Sequence, residues 1–262
     1  MKKRKYVALP LMIASLLMLL VAGCGKEPTG ANSSEIVGST GVATLKIAVT
    51  EASPPFSFVD KQGKLVGFDV DYANEIGKRL NQKVEVISTA WEGLIPGLLA
   101  NKYDLIIGSM AITEKRKESV AFSSPYYISG AAIVVHKDNQ EIKAPADLKG
   151  KNVGVTLGTT YEEEAKKLGA NVNTYNSEVD QLTDLENKRI DAMVTDKFIG
   201  AFTINETKRP LLLLDGLLYE EQIGVAMRKE DTDLLTKVNK AVEEISKDGT
   251  YEKMAMQHFG TK

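Results

Sequence analysis

The chain has 262 residues, 43% hydrophobic and 26% charged, with a formal net charge of −2. That length allows one large or two modest domains with real cores, and the composition is that of a globular protein. No basic stripe or aromatic-interleaved patch stands out, so nucleic acid is excluded as an expected partner.

Lys2, Lys3, Arg4 and Lys5 form a positive segment, and an apolar stretch from Val7 to Ala22 follows. The stretch is short for a bilayer span and ends in small residues, so residues 1–23 are expected to be a secretory signal peptide. Its end, L-V-A-G-C, resembles the lipobox of bacterial lipoproteins, which implies a lipidated, palmitate-bearing Cys24 as the mature N-terminus. Cys24 is the only cysteine, so no disulfide is expected in the exported part. Removal of the four cations takes the net charge to about −6. Residues 24–44 are rich in Gly, Ser and Thr and are expected to form a flexible tether. There is no hydrophobic C-terminal tail, so the lipid is the expected anchor to the membrane.

Folding is expected to begin near Leu45. LKIAVT reads as a strand, and Gly63 between two apolar runs marks a hairpin. Val70, Ala73, Ile76 and Leu80 recur at helical spacing. Lys83–Thr89 alternates as a strand. Thr89 and Glu92 have capping-box spacing before a helix carrying Leu94, Ile95, Leu98 and Leu99. Asp104–Ser109 reads as a buried strand, and Thr113 opens a short helical turn containing Arg116. In the second half, Asn152–Thr156 is a strand, Thr159 and Glu162 again have capping-box spacing, Ser177 starts a helix, and Arg189–Asp196 is a strand. Strand and helix alternate, so the fold class is α/β, doubly wound. A faint echo between LLANKYDLIIGS and LENKRIDAMVTD suggests two lobes of one kind. It puts Ser109 and Asp196 at equivalent points past a strand's C-terminal end, the edge where open α/β sheets bind ligands. AAIVVH (131–136) and QIGVAM (222–227) are the expected crossovers. Asp231 is expected to cap the first of two C-terminal helices.

Catalytic and metal motifs are scarce. His136 and His258 have no partners at metal-ligand spacing and read as structural, and neither a cofactor nor a metal is expected. What remains suits a small zwitterion. Arg116 can pair bidentately with a carboxylate. A helix N-terminus with Thr159 and Thr160 offers N–H and hydroxyl donors. Asp196 can take an ammonium, Ser109 offers a hydroxyl and a carbonyl, and Trp91 can wall a pocket. The bland readings are a solvated Arg116, capping roles for Asp196 and Thr159, and a core Trp91.

From Leu45 onward the chain resembles the polar amino-acid substrate-binding proteins of ABC importers, the bacterial extracellular solute-binding family three. The resemblance is carried by PPFSFVDKQGKLVGFDVDYANEIGKRL, WEGLIPGLLANKYDLIIGSMAITEKR, AFSSPYYISG, DLKGKNVGVTLGTTYE, RIDAMVTD and KDGTYEKMAMQHFG. It implies a two-lobed type II periplasmic-binding-protein fold with a two-strand hinge, with 45–133 plus 226–262 as lobe 1 and 134–225 as lobe 2. It implies that Arg116 and Thr160 hold an α-carboxylate, that Asp196 and the Ser109 backbone hold an α-ammonium, and that Trp91 flanks the side chain. Ala111 stands where relatives often carry Ser or Thr, Ser53 where many carry an aromatic, and Thr50 where basic-amino-acid binders often carry an acid, with Glu51 adjacent. The expected function is therefore that of a monomeric, lipid-anchored, extracytoplasmic receptor. It would pass a polar L-amino acid, cystine or a neutral one foremost, to an ABC permease and its ATPase. The alternatives are a binder of arginine, lysine or histidine, an enzyme resembling periplasmic cyclohexadienyl dehydratases with Glu162 or Glu51 near the cleft, and an adhesin.

Overall fold

A computed structural model describes residues 44–260. Cys24, the leader and all but the last residue of the tether lie outside the described residues.

The first lobe is wound around β1 (Thr44–Thr50), whose inner residues Ile47, Ala48 and Val49 have no exposed surface. The hairpin β2 (Phe58–Val59) and β3 (Leu65–Val66) follows, its turn tied by Asp60 Oδ1, which accepts from the Gln62 and Lys64 N–H groups. Helix α1 (Phe68–Arg79) buries Val70, Ala73 and Ile76, as their spacing requires. It starts at Gly67, whose φ is 128°; a Cβ there would lie 2.2 Å from the Phe56 carbonyl oxygen, so only glycine fits. Then come β4 (Lys83–Thr89), α2 (Leu94–Leu99), β5 (Leu105–Ile106), the four-residue α3 (Glu114–Lys117) and β6 (Ala121–Phe122).

The second lobe holds β7 (Tyr127–His136), β8 (Asn152–Thr156), α4 (Thr160–Lys167), β9 (Asn171–Tyr175), α5 (Glu178–Glu186), β10 (Ala192–Asp196), α6 (Lys197–Thr207), β11 (Leu211–Leu213) and β12 (Tyr219–Ile223). The chain then returns to the first lobe for β13 (Ala226–Met227), α7 (Thr232–Lys247) and α8 (Thr250–Phe259). One sheet runs β4-β1-β5-β13-β6, and the other β11-β7-β10-β8-β9 with β12 also on β7. In each sheet the pairs next to the site are parallel, β1 with β4 and β5, and β8 with β9 and β10. Helices cover both faces, which splits each lobe's apolar core in two: Leu94, Leu98 and Ile106 form one cluster, and Ile47, Phe68, Val238 and Ile245 another.

One crossover follows the sequence reading, since the expected 222–227 segment does pass between the sheets, and the other corrects it. Ala131–Val135 does not cross: it pairs with β10 on one side and with β11 and β12 on the other, inside the second sheet. Its apolar run reflects burial on both faces. The chain changes sheets at Ser123–Tyr126, ahead of the expected boundary at 133, and again at Ile223–Val225. The two passages are tied by Ser123 N–H to Val225 O (2.9 Å) and Tyr126 N–H to Ile223 O (2.9 Å). The first passage is polar and aromatic, so it carried no periodic signal.

Three expected caps also differ. Thr89 is held extended by its pairing with Thr50, so a 3₁₀ segment, Trp91–Gly93, starts on Ala90 instead. Thr159 precedes α4, but its hydroxyl donates back to Thr156 O (2.7 Å). Asp231 turns its carboxylate to Arg228 (2.8 Å) rather than to the helix. Among the described residues no helix is long and apolar enough to cross a membrane.

Candidate functional site

The C-terminal ends of the parallel strands in the two sheets face one pocket. Thr50, Ser53, Trp91, Ser109, Ala111 and Arg116 line it from the first lobe, and Thr159, Thr160 and Asp196 from the second. All nine residues singled out in the sequence are thus brought together. The lobes meet across the cleft, where Lys115 Nζ lies 2.8 Å from Glu163 Oε1 and Arg116 Nη2 donates to Gly158 O at 3.4 Å.

Arg116 is presented by α3. Thr113 caps that turn by accepting the Arg116 N–H at 3.2 Å. With only four residues the turn has little dipole to oppose a cation. The guanidinium donates to Ala111 O (2.7 Å) and stands 5.1 Å from the Trp91 ring centroid, a cation–π arrangement. Burial pulls its pKa down, and Glu221 opposes that pull. Among the described residues no carboxylate lies within ion-pair distance of it.

Asp196 ends β10, where it is 2% exposed. Oδ1 accepts the Phe198 N–H (2.7 Å), capping α6, and Oδ2 accepts the Ser129 hydroxyl. Burial pushes its pKa up to about 6, against the pull of those two donors. Capping and pocket-lining therefore coexist in one side chain.

Several hydroxyls expected to face a ligand are engaged elsewhere. Ser109 Oγ donates to Asp69 Oδ2 (3.0 Å), and Tyr126 donates to Asp69 Oδ1 (2.9 Å). Ser109 has φ 52°, in the left-handed region. Thr50 shares a 2.6 Å hydrogen bond with Ser57. Thr160 donates to Glu221. Asp69 is fully buried, and desolvation raises its pKa to about 7.

Sequence reasoning missed Glu178 and Glu221, which also line the pocket and are 8% and 7% exposed. Burial pushes Glu178 up to about 8, the Thr195 hydroxyl (2.9 Å to Oε1) pulling the other way. It raises Glu221 too. Strand alternation held a signal for Glu221, which shares a face with buried Ile223. Glu178 looked like an ordinary acid in a first helical turn. Glu162, offered by the sequence as a general acid, is unsuited: Lys166 and the Gly158 N–H hold its carboxyl below the usual range. Glu51 lines the pocket from an exposed position. Among the described lining residues Arg116 is the only base, set against Glu51, Glu178, Asp196 and Glu221.

Residues 45–261 match the model of the bacterial extracellular solute-binding proteins, family 3. The chain is 37% identical over 220 residues to the L-cystine-binding protein TcyJ of Escherichia coli (strain K12), covering 83% of this chain and 83% of that one. Among solved structures it is similar to an ancestral arginine-binding protein bound to glutamine, with a TM-score of 0.79, 42% identity, and 83% and 98% of the two chains covered. It is also similar to the ancestral amino acid-binding protein AncCDT-1, a precursor of cyclohexadienyl dehydratase, with a TM-score of 0.78, 38% identity, and 83% and 96% covered.

Proposed function

Since the chain belongs to the bacterial extracellular solute-binding proteins of family 3, we propose that it is an amino-acid receptor delivering a polar L-amino acid to an ABC importer. The observation that carries this reading is the half-buried guanidinium of Arg116. It is free of any carboxylate among the described residues and lines one pocket with buried Asp196 of the other lobe. An α-carboxylate completes Arg116, and Asp196 with the Ser109 carbonyl completes an α-ammonium. Trp91 packs beside the bound molecule. Hinge closure about Ser123–Tyr126 and Ile223–Val225 brings the two halves of this grip together, and the closed form is what the permease reads.

Cystine leads among the ligands because of the likeness to an L-cystine-binding protein. Arginine, lysine or histidine is the second reading, favoured by the excess of acids lining the pocket. A thermal-shift panel of the protein, unfolded and refolded to strip carried ligand, tests both. At a thousand-fold excess over Kd a true ligand adds about 4 kcal/mol and raises Tm by roughly 8–16 °C. Silence toward every amino acid would end the receptor reading. Prephenate belongs in the panel as well, because Glu178 and Glu221 supply the buried, raised carboxyls that a dehydratase acid requires. Its turnover, followed by absorbance, would convert the reading to an enzyme.

The leader and Cys24 make the protein a lipoprotein held at the outer face of the cell membrane. Cys24→Ser is expected to move the protein from the membrane fraction to the soluble one. A variant that stays in the membrane fraction would refute the lipid anchor.

A further inference from the structure

We propose that Glu178 receives a second cationic group of the ligand, an ammonium or guanidinium beyond the amino-acid head, at the second-lobe end of the pocket. The inference rests on the receptor reading above and names the chemical class of the ligand.

Three observations converge on it. Glu178 lines the pocket while more than nine-tenths buried, and its Oε2 has no hydrogen-bond partner. A buried carboxyl oxygen without a partner is costly, so a group that supplies one gains affinity. Around it, Thr195 satisfies only Oε1. The only charge acting on it from the strands packed against α5 is that of Asp196 on β10, an acid; from α4 the Tyr161 phenol senses it, and neither is a base. Finally, the head of an amino acid uses Arg116 and Asp196 in full. Glu221 is held by Thr160 and feels Arg116. Glu178 is the buried acid left over, and a second cation matches it.

Before binding, Glu178 holds its proton at neutral pH, because burial disfavours the anion. A cation placed against Oε2 reverses that preference. The carboxyl ionises, its proton passes to the solvent, and the ion pair forms in the closed cleft. Binding at pH 7 therefore releases about 0.9 proton per ligand, and at pH 9 the release falls toward about 0.1, because the free site is then already ionised.

Calorimetry in two buffers of different ionisation enthalpy counts the protons. The probes are L-arginine with its neutral isostere L-citrulline, and L-cystine with S-methyl-L-cysteine, which lacks the second amino-acid half. The arginine and cystine arms distinguish a side-chain guanidinium from a second α-ammonium. The expected result is release of close to one proton at pH 7 with a cationic probe and no more than about 0.1, from Asp196, with its neutral partner. Glu178→Gln should cut the preference for the cationic probe over its neutral partner by at least ten-fold and bring the release down to that of the neutral probe. A wild-type proton count near zero, or an unchanged preference in Glu178→Gln, overturns the inference. Binding confined to neutral amino acids overturns it too and leaves the receptor reading standing. Failure of wild type to bind any amino acid removes both.

Discussion

Arg116→Ala is expected to abolish tight amino-acid binding, with a loss on the order of 3–5 kcal/mol, or about two to four powers of ten in Kd. The guanidinium spends one Nη1–H on Ala111 O, reaches Gly158 O with Nη2 at 3.4 Å and lies over Trp91, which fixes its plane. The remaining N–H groups are those a ligand carboxylate would accept from. In the closed cleft that carboxylate is desolvated, so truncating the arginine leaves a buried charge without a partner. Arg116→Lys should recover only part of the loss, because an ammonium cannot reproduce the planar fork or the stacking on Trp91. Isothermal titration with whichever amino acid stabilises the wild type measures both variants. Arg116 sits in a four-residue surface turn, so the melting temperature without ligand should hardly move. Wild-type affinity in Arg116→Ala would remove this residue from the grip.

Stability without ligand should fall as pH rises from about 4.5 to 8, and Glu178→Gln should remove much of that fall. The folded-state pKa of Glu178 is raised from 4.5 to about 8. Through that window the unfolded chain has released a proton that the folded chain still holds, so rising pH favours unfolding. At pH 7 the shift amounts to on the order of 3 kcal/mol, or roughly 6–12 °C in Tm. Asp69 and Asp196, raised to about 7 and about 6, act in the same direction. Glutamine keeps the acceptor for Thr195 and cannot ionise. The variant should therefore match the wild type at pH 4 within about 1 kcal/mol and outlast it at pH 8. Parallel melting curves across that range would show that Glu178 is already ionised in the free protein. Ligand must be stripped first, since a bound amino acid would itself set the charge of the site.

Much of the architecture was legible along the chain, because its signals are local. Alternating or continuous apolar runs marked β1, β4, β8 and β10, and helical spacing marked α1. Thr113 and Ser177 cap the turns they were expected to cap, with their oxygens accepting from Arg116 and Val179 N–H groups. Ser109 and Asp196 stood out because a strand's C-terminal edge is a fixed place in an α/β unit, Arg116 because its guanidinium can pair with a carboxylate, and all three come to line the pocket. The motifs of the family were contiguous segments and needed no fold to be read.

What escaped was set by partners distant in the chain. The first crossover passes through Ser123–Tyr126, where hydrogen bonds to Ile223 and Val225 a hundred residues away create the hinge. Whether Thr159 caps α4 or turns back to Thr156 depends on the loop between them. Ser109 is expected from sequence to offer its hydroxyl, yet that group is taken by Asp69, forty residues earlier. Glu178 and Glu221 are ordinary acids by local rules, and only the closing of two sheets around them makes them buried. The amino-acid sequence by itself determined most of the elements, the family and the choice of Arg116 and Asp196 as residues that line the pocket. The tertiary structure alone decided which hydroxyls are free and which carboxyls keep their protons, because desolvation and hydrogen-bond competition arise only when distant segments pack together.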